Sequence, residues 1–315
     1  MTRVLTFGES MAALHGEGPL RLAAGMQLSI AGTESNVAIG LARLGHQAEW
    51  IGRLGDDELG RPVLRTLRAE NVDASHVIVD GSAPTGLLLF EHRIADITNV
   101  SYYRAGSAGS GICANDVADR LTDDVAALHV TGVTAALGKT AAEAIAECVA
   151  IARRRGIPVS LDVNFRSRLW AAATARDTLR PLISQVDILF GSEDEVMLVA
   201  ADASTDIDTA AQQIIADGTG TVVVKRGGAG ATAYTTDGKL SVPARRVPVV
   251  DVVGAGDAFV AGYLSGGLDG LDIAGCLQRG VVLGAFAVSR IGDWEALPSR
   301  AELSLLDAAP GTTIR

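Results

Sequence analysis

The segment Asp251–Gly262 has the residue types of an anion-binding site, a glycine-rich turn followed by an apolar stretch. Small residues at 254–256 let successive backbone N–H groups converge, and the helix that follows has an N-terminus that favours negative charge. Asp257 falls in the first turn of that helix, where the helix dipole stabilises its carboxylate. The pattern is typical of a site for phosphate or a transferring phosphoryl group. A tight turn with an acidic residue at a helix start explains it equally well, because such a turn alone is a weak signal.

Two arginines lie beside predicted strands. Arg104 follows Tyr102 and Tyr103, and Arg166 comes just after the apolar run Pro158–Asp162. Since α/β sheets bind ligands beyond the carboxyl ends of their strands, Arg166 is placed for ligand binding. The planar fork of a guanidinium matches a carboxylate, so two arginines favour an acidic ligand. Ordinary surface ion pairs are the alternative.

A basic and glycine-rich loop follows the run Thr221–Lys225. Lys225 is one of only three lysines in the chain, which favours a role in binding an anion over a plain strand-ending turn. The loop consists of Lys225, Arg226, Gly227, Gly228, Ala229, Gly230 and Ala231.

Short β-branched runs alternate with helical stretches such as Thr140–Arg155 and Asp206–Asp217. Apolar strands separated by helices predict a parallel sheet that helices cover on both faces. Residues 10–34 and 84–110 interrupt this alternation, and we expect them to form a small β-sheet lid, with an edge hairpin as the alternative. The clearest strand predictions are Val4–Phe7, Leu128–Thr131, Pro158–Asp162, Asp187–Phe190 and Thr221–Lys225.

Composition narrows the class of protein. A chain of 315 residues with 48% apolar and 20% charged residues predicts one large domain, residues 1–315, and excludes disorder, collagen and a coiled coil. The net charge of -10 argues against a nucleic-acid or membrane partner. Three scattered cysteines and an N-terminus without a signal-peptide pattern predict a cytoplasmic protein.

The segment at 251–262 resembles the C-terminal signature of the ribokinase (PfkB) family of sugar kinases. The segment Ala31–Asn36, followed by Leu41–Gly45, resembles the family's N-terminal signature. The resemblance covers nearly the whole chain, and two signatures at this separation are far more specific than either alone. It implies an α/β, ribokinase-like three-layer sandwich with a mainly parallel sheet and a β-sheet lid. It also implies transfer of a phosphoryl group from ATP, with Mg²⁺, to a small hydroxylated substrate.

The resemblance also implies a role for each matching residue. Asp257 takes the proton from the substrate hydroxyl, and Gly254, Ala255 and Gly256 donate backbone hydrogen bonds to the transferring phosphoryl. The loop 225–231, Ser192 and the residues 254–257 contact the nucleotide. Glu195 belongs to a motif that organises the Mg²⁺ shell, although Ser192–Glu195 is also a helix-capping box.

The substrate-side segments are similar to those of the family branch that phosphorylates 2-keto-3-deoxygluconate at its 6-hydroxyl. This likeness implies an acidic sugar as substrate. Leu88 stands where relatives can carry a tyrosine, and Val281 stands where they often carry an asparagine near the adenine. The implied substrate contacts are Gly32, Thr33, Glu34, Ser35, Asn36, Leu88, Tyr102, Tyr103, Arg104, Arg166 and Asp257.

Three other functions remain as alternatives. A kinase for a neutral sugar, such as a fructokinase or ribokinase, would give Arg104 and Arg166 no carboxylate to bind. A nucleotide-binding oxidoreductase needs a glycine-rich turn after the first strand, which Gly8-Glu9-Ser10 does not supply. A non-catalytic sugar sensor would not need the Gly254–Asp257 site. We also expect a homo-oligomer that pairs through the lid, because an exposed sheet edge favours association.

Overall fold

The computed structural model describes residues 3–16, 18–22, 25–94, 97–200 and 206–308. The largest of its sheets has eight strands. Six neighbouring strands are parallel, and the last two at one edge are antiparallel to their neighbours. In spatial order the strands, numbered along the chain, are β14 (Gly238–Val242), β13 (Ala231–Thr235), β12 (Thr221–Lys225), β11 (Ile188–Gly191), β10 (Val159–Asp162), β9 (Val125–Thr131), β1 (Arg3–Phe7) and β4 (Gln47–Ile51).

Helices pack on both faces of this sheet. The described helices are α1 (Thr33–Arg43), α2 (Gly60–Ala69), α3 (Gly132–Ala135), α4 (Lys139–Arg155), α5 (Ala172–Ile183), α6 (Glu193–Val199), α7 (Ile207–Ala216), α8 (Ala255–Leu268) and α9 (Ile273–Ala287). Side chains alternate across a strand, so Val222 and Val224 pack in one apolar cluster with α4 to α7. Val223 packs in the opposite cluster with α1, α2, α8 and α9. The predicted parallel sheet between two helical layers is confirmed.

A second sheet of four strands lies apart from the main one. It consists of β2 (Met11–Gly16), β3 (Met26–Ala31), β7 (Leu87–Ile94) and β8 (Ile97–Tyr103), in the order β3-β2-β7-β8. These strands fall within the segments 10–34 and 84–110, so the predicted small sheet is confirmed, and the edge-hairpin alternative is wrong. We call this sheet the lid. Two short strands, β5 (Arg53–Gly55) and β6 (Ile78–Asp80), form a separate pair.

Predicted and observed elements differ mainly at their ends. Thr221–Lys225 has the same bounds in both, and the helix predicted over Asp206–Asp217 is α7 with its two flanking residues. The antiparallel edge strand β14 was not anticipated. Within the residues that the structure describes, no helix combines the length and the apolar character needed to cross a bilayer.

The parallel order brings the candidate residues together. Strands β10 and β12 end at Asp162 and Lys225, and these ends lie at the same edge of the sheet because the strands between them are parallel. Helix α8 begins nearby, since a Cβ added at Gly256 would lie 3.5 Å from the Lys225 ammonium.

Candidate active site

Gly254 forms the turn that starts α8. Its φ of 72° lies in the left-handed region, and a Cβ at this position would overlap the backbone carbonyl of Asp293. Both constraints require glycine. The turn thus places the first amides of α8, at Ala255 and Gly256, at the open end of the helix, where their N–H groups have no partner within the helix.

Asp257 is 7% exposed and lies in the first turn of α8. The Thr33 hydroxyl donates to its Oδ1, and Asn36 Nδ2 donates to its Oδ2 at 2.8 Å. Burial raises the pKa of this carboxyl, the two hydrogen bonds oppose the rise, and the charge of Asp162 adds to it. A carboxylate with a raised pKa binds a proton more readily, as a general base must.

Asn164 is a further partner of Asp257 that the sequence analysis did not identify as a site residue. Its backbone has a φ of 38°, which is unusual for a residue with a side chain. Its Nδ2 donates to Thr33 Oγ1 at 2.8 Å and to Asp257 Oδ1 at 3.3 Å. The conformation therefore aims the amide at the Asp257 carboxylate.

A cavity of about 460 Å³ opens beside Asp257, under the lid. Seven predicted substrate residues besides Asp257 line it, together with five further polar residues. The predicted residues are Gly32, Thr33, Asn36, Leu88, Tyr102, Arg104 and Arg166. The sequence analysis missed Glu9, Asn164 and Asp293, whereas it assigned Glu195 to the Mg²⁺ shell and Lys225 to the nucleotide. We call this the polar cavity.

A second cavity, of about 640 Å³, lies on the other side of Lys225 and Gly256. Of the predicted nucleotide residues, Lys225, Gly227, Gly228, Gly230, Ala255 and Gly256 line it. The rest of its wall comes from the segment 244–252, from Phe259 on α8 and from α9 and its end, including Val281. Most of this wall is apolar, as suits a flat heterocycle. We call it the apolar cavity.

The two cavities meet at three residues, since Lys225, Val252 and Gly256 line both. Lys225 Nζ is held at 2.6 Å from Asp162 Oδ2, a carboxylate that is 1% exposed. This ion pair fixes the ammonium at the junction. A group passing from one cavity to the other would cross between Lys225 and the start of α8.

Several predicted site residues do not line either cavity. Thr33 and Asn36 lie three residues apart on one face of α1, so Glu34 and Ser35 between them point elsewhere. Glu34 is fully buried and accepts hydrogen bonds from the hydroxyls of Thr131 and Thr134, each at 2.5 Å. Burial raises the pKa of Glu34 to about 7.

Strand alternation explains another residue outside the cavities. Tyr102 lines the polar cavity, whereas its neighbour Tyr103 is 61% exposed and lies on the opposite face of β8.

The remaining predicted residues outside the cavities belong to the nucleotide set. Ser192 Oγ accepts the Glu195 amide and caps α6, and the Arg226 guanidinium pairs with Glu193 at 2.9 Å. Ala231 is buried in β13, and Ala229 lies in the exposed turn.

Glu195 lines the polar cavity, but its oxygens have partners. The amide of Ser192 donates to one at 2.7 Å, and the amide of Phe165 donates to the other at 2.8 Å. The capping box is thus present, and Glu195 also fixes the loop that carries Arg166. The role of Glu195 in the Mg²⁺ shell stays a prediction.

Asp293 is 8% exposed and follows α9 in a stretch with no motif that would have identified it. Asn36 Nδ2 lies 3.4 Å from its Oδ2, and its Oδ1 has no hydrogen-bond partner among the described residues. Burial, with the charge of nearby Asp257 as the next cause, raises the pKa of Asp293 to about 8. The neutral acid can therefore donate a hydrogen bond into the polar cavity at neutral pH.

We expect the free energy of unfolding of the ligand-free protein to fall as the pH rises from about 7 to about 8.5. Glu34 and Asp293 hold protons more tightly when folded than when unfolded, so their stabilisation is complete at acid pH and is lost as the pH passes their folded pKa values. His129, whose pKa burial lowers to about 3, is largely neutral in both states above about pH 7. Thermal unfolding across this range should show a flatter slope for Asp293→Asn, whereas the exposed control Asp177→Asn should match the wild type. An equal slope in all three proteins would contradict the assignment.

Comparisons with known proteins agree with this geometry. The family model for pfkB family carbohydrate kinases matches residues 1–300. The 2-dehydro-3-deoxygluconokinase of Bacillus subtilis is 36% identical over 313 residues, which are 98% of this chain and 96% of that protein. The 2-dehydro-3-deoxygalactonokinase of Haloferax volcanii is 34% identical, with 92% of each chain covered.

A solved structure of a PfkB protein from Polaromonas sp. JS666 superposes with a TM-score of 0.86 at 35% identity, covering 96% of this chain and 99% of the other. The match of sequence and fold extends over nearly the whole chain and includes the start of α8 and the lid. The chain therefore belongs to the PfkB family of carbohydrate kinases.

Proposed function

We propose that this protein transfers the γ-phosphoryl group of ATP to the 6-hydroxyl of 2-keto-3-deoxygluconate. The observation that carries the proposal is the meeting of the two cavities at Gly256 and Lys225, beside the buried base Asp257. The apolar cavity fits adenine, and the polar cavity fits a sugar acid. The relatives that share about a third of the sequence over its full length carry kinase names for 2-keto-3-deoxy sugar acids, which supports this substrate class.

Asp257 would accept a hydrogen bond from the sugar hydroxyl and take its proton as the new P–O bond forms. Phosphoryl transfer has a loose transition state, so positioning and charge stabilisation contribute most of the catalysis. The amides at the start of α8 and the Lys225 ammonium face the charge that develops on the phosphoryl oxygens. Thr33, Asn36 and Asn164 hold the carboxylate in place through their hydrogen bonds.

Kinases of this family use ATP with Mg²⁺, and the residues here fit a hydrated ion. Glu195 accepts two backbone amides, and one oxygen of Asp162 is paired with Lys225. Asp162 Oδ1 has no hydrogen-bond partner in the described residues and is the carboxylate oxygen that a Mg²⁺-bound water could reach. Mg²⁺ keeps several waters and binds substrate phosphates, so this donor set is sufficient. When bound, the ion neutralises phosphate charge.

The two arginines of the polar cavity differ in a way that favours an acidic sugar. Arg104 is paired with the buried carboxylate of Glu9, at 2.5 Å from Nη2. Arg166 is exposed and has no ion pair within the described ranges. Arg166 thus offers an uncompensated positive charge to the substrate carboxylate.

Replacing Asp257 with asparagine should lower kcat by about 10²- to 10⁴-fold, because the amide keeps the shape but cannot accept the proton. The KM values for sugar and ATP should change little, since the amides of α8 remain. Asp269→Asn, at the other end of α8, is the control and should keep its kcat. Steady-state kinetics of the purified variants measure both effects. An Asp257→Asn variant with more than about a tenth of wild-type kcat would contradict the assignment of Asp257 as the general base.

Replacing Arg166 with alanine should raise the KM for 2-keto-3-deoxygluconate by about ten- to a hundredfold and leave the KM for ATP unchanged. The reason is the loss of a charge-assisted hydrogen bond of about 1.5–3 kcal/mol. Arg154→Ala, at an exposed position on α4, is the matched control. Turnover should be compared across the gluco and galacto acids, fructose and ribose. Preference for a neutral sugar, with Arg166→Ala unaffected, would favour the fructokinase or ribokinase alternative.

The lid supports a proposal about assembly. Strand β3 is at an edge of the lid and exposes Met26 and Leu28, which are 47% and 48% exposed. Apolar side chains on an open edge strand favour pairing with another copy. We therefore propose a homo-oligomer that forms through the lid. Consumption of ATP and cysteines free of disulfides support a cytoplasmic location as well.

Replacing Leu28 with glutamate should convert the oligomer into monomers, because a charge would be buried at the lid contact. Leu240→Glu is the matched control, since Leu240 is 42% exposed on β14, the edge strand of the main sheet. Light scattering coupled to size-exclusion chromatography measures the mass of each. A monomeric wild type, or an oligomer that survives Leu28→Glu, would exclude pairing through this edge.

A further inference from the structure

Glu9 lies where the chain passes between the main sheet and the lid. It follows the end of β1 and precedes β2. A Cβ on Gly32, where the chain leaves β3, would come within 2.6 Å of the Glu9 carbonyl oxygen. A Cβ on Gly86, where the chain enters β7, would come within 2.8 Å of Glu9 Oε1. Arg104, which follows β8, binds the Glu9 carboxylate, so all four passages meet at one residue.

The Glu9 side chain is 1% exposed and fully engaged. Its Oε2 accepts Arg104 Nε at 2.7 Å and lies 2.5 Å from Nη2, and the Ser107 hydroxyl donates to Oε1. Gly109 packs against the Glu9 side chain so closely that a Cβ there would overlap Cγ. A carboxylate this buried is stable only when it is paired and hydrogen-bonded.

The pairing leaves part of Arg104 available. Nε and Nη2 contact Glu9, whereas Nη1 takes part in neither contact, and Arg104 and Glu9 both line the polar cavity. An arginine side chain free in solvent loses rotamer entropy when it binds a ligand. In this protein the Arg104 side chain loses that rotamer entropy on folding, because Glu9 already fixes its guanidinium before the ligand binds.

We propose that Glu9 is a positioning residue for the sugar, which it serves by holding Arg104 in the wall of the polar cavity. The inference rests on the proposed function and assigns a division of roles within that site. Arg166 supplies the uncompensated charge, and the Glu9–Arg104 pair supplies a fixed donor without net charge. Because the same pair joins β1 to the end of β8, it also sets where the lid stands over the sugar.

The test compares Glu9→Ala, Glu9→Gln, Arg104→Ala and the double variant Glu9→Ala/Arg104→Ala. Glu9→Ala should raise the sugar KM about tenfold or more, with the ATP KM unchanged and kcat altered much less. Glu9→Gln should fall between Glu9→Ala and the wild type, because its amide oxygen can still accept from Arg104. The double variant should match Arg104→Ala, since a residue that acts through Arg104 has no effect without it. Calorimetric titration with sugar alone gives the same comparison without turnover.

Asp116→Ala is the control. It breaks a similar pair, in which Arg53 Nε and Nη2 donate to Asp116 at 2.8 and 2.9 Å away from either cavity. It should lower the unfolding temperature without changing the sugar KM.

Two failures are distinguishable. A wild type that does not phosphorylate 2-keto-3-deoxygluconate overturns the proposed function, and the variants are then measured with the sugar that it does phosphorylate. A turnover-competent wild type whose Glu9 variants keep its sugar KM, or a double variant whose effects add, overturns the role of Glu9 alone. If Glu9→Ala does not fold, Glu9→Gln, which keeps the shape, decides the same question through its sugar KM.

Discussion

Buried negative charge at the carboxyl edge of the sheet is the constraint on which the site depends. Asp162, Asp257 and Asp293 are each less than a tenth exposed. A carboxylate loses most of its hydration there and must find partners or bind a proton. Asp162 takes the ammonium of Lys225, Asp257 takes the hydrogen bonds of Thr33, Asn36 and Asn164, and Asp293 binds a proton. The three acids thus have three different states in one small volume.

The need of each buried acid for a partner accounts for the positions of α1, α8 and the loop after β10. Thr33 and Asn36 reach Asp257 because α1 follows the lid strand β3 after one residue. Asn164 reaches Asp257 because it lies two residues beyond the end of β10. Gly254 brings α8 against the Asp293 backbone, which places Asp257 and Asp293 near the same Asn36 amide. A shift in any one of α1, α8 or the β10 loop would leave a buried acid without its partner. The hydrogen bonds that form the site therefore also hold α1, α8 and the loop after β10 together at this edge of the sheet.

The sequence predicted the strands and helices of the main sheet well, because they depend on local pattern. Alternating apolar strands and helices identify the parallel sheet, and the turn at 254–256 has a local signature. Residues that reach the site from distant parts of the chain were harder to predict. Glu9 and Asp293 lie in stretches with no motif, and they reach the site only because the lid passages and the end of α9 converge on it. The resemblance to the family's substrate-contacting segments implied Glu34 and Tyr103 as substrate contacts, whereas helix and strand periodicity turn their side chains away from the cavity.

Under the proposed function, a chain with a net charge of -10 has to bind two anions, the nucleotide and a sugar acid. The binding relies on a few localised positive groups, because the net negative charge of the protein repels anions at long range. At short range, the exclusion of water strengthens the contacts of these groups with the ligands. Lys225 is tied to Asp162 and Arg104 to Glu9, so each cation is oriented yet nearly cancelled before ligand binds. Arg166 keeps its full charge at the exposed mouth of the polar cavity. The paired cations inside the cavity thus provide orientation, and Arg166 at the entrance provides attraction. This separation would let the proposed site select an acidic sugar without an unpaired cation buried beside Asp257.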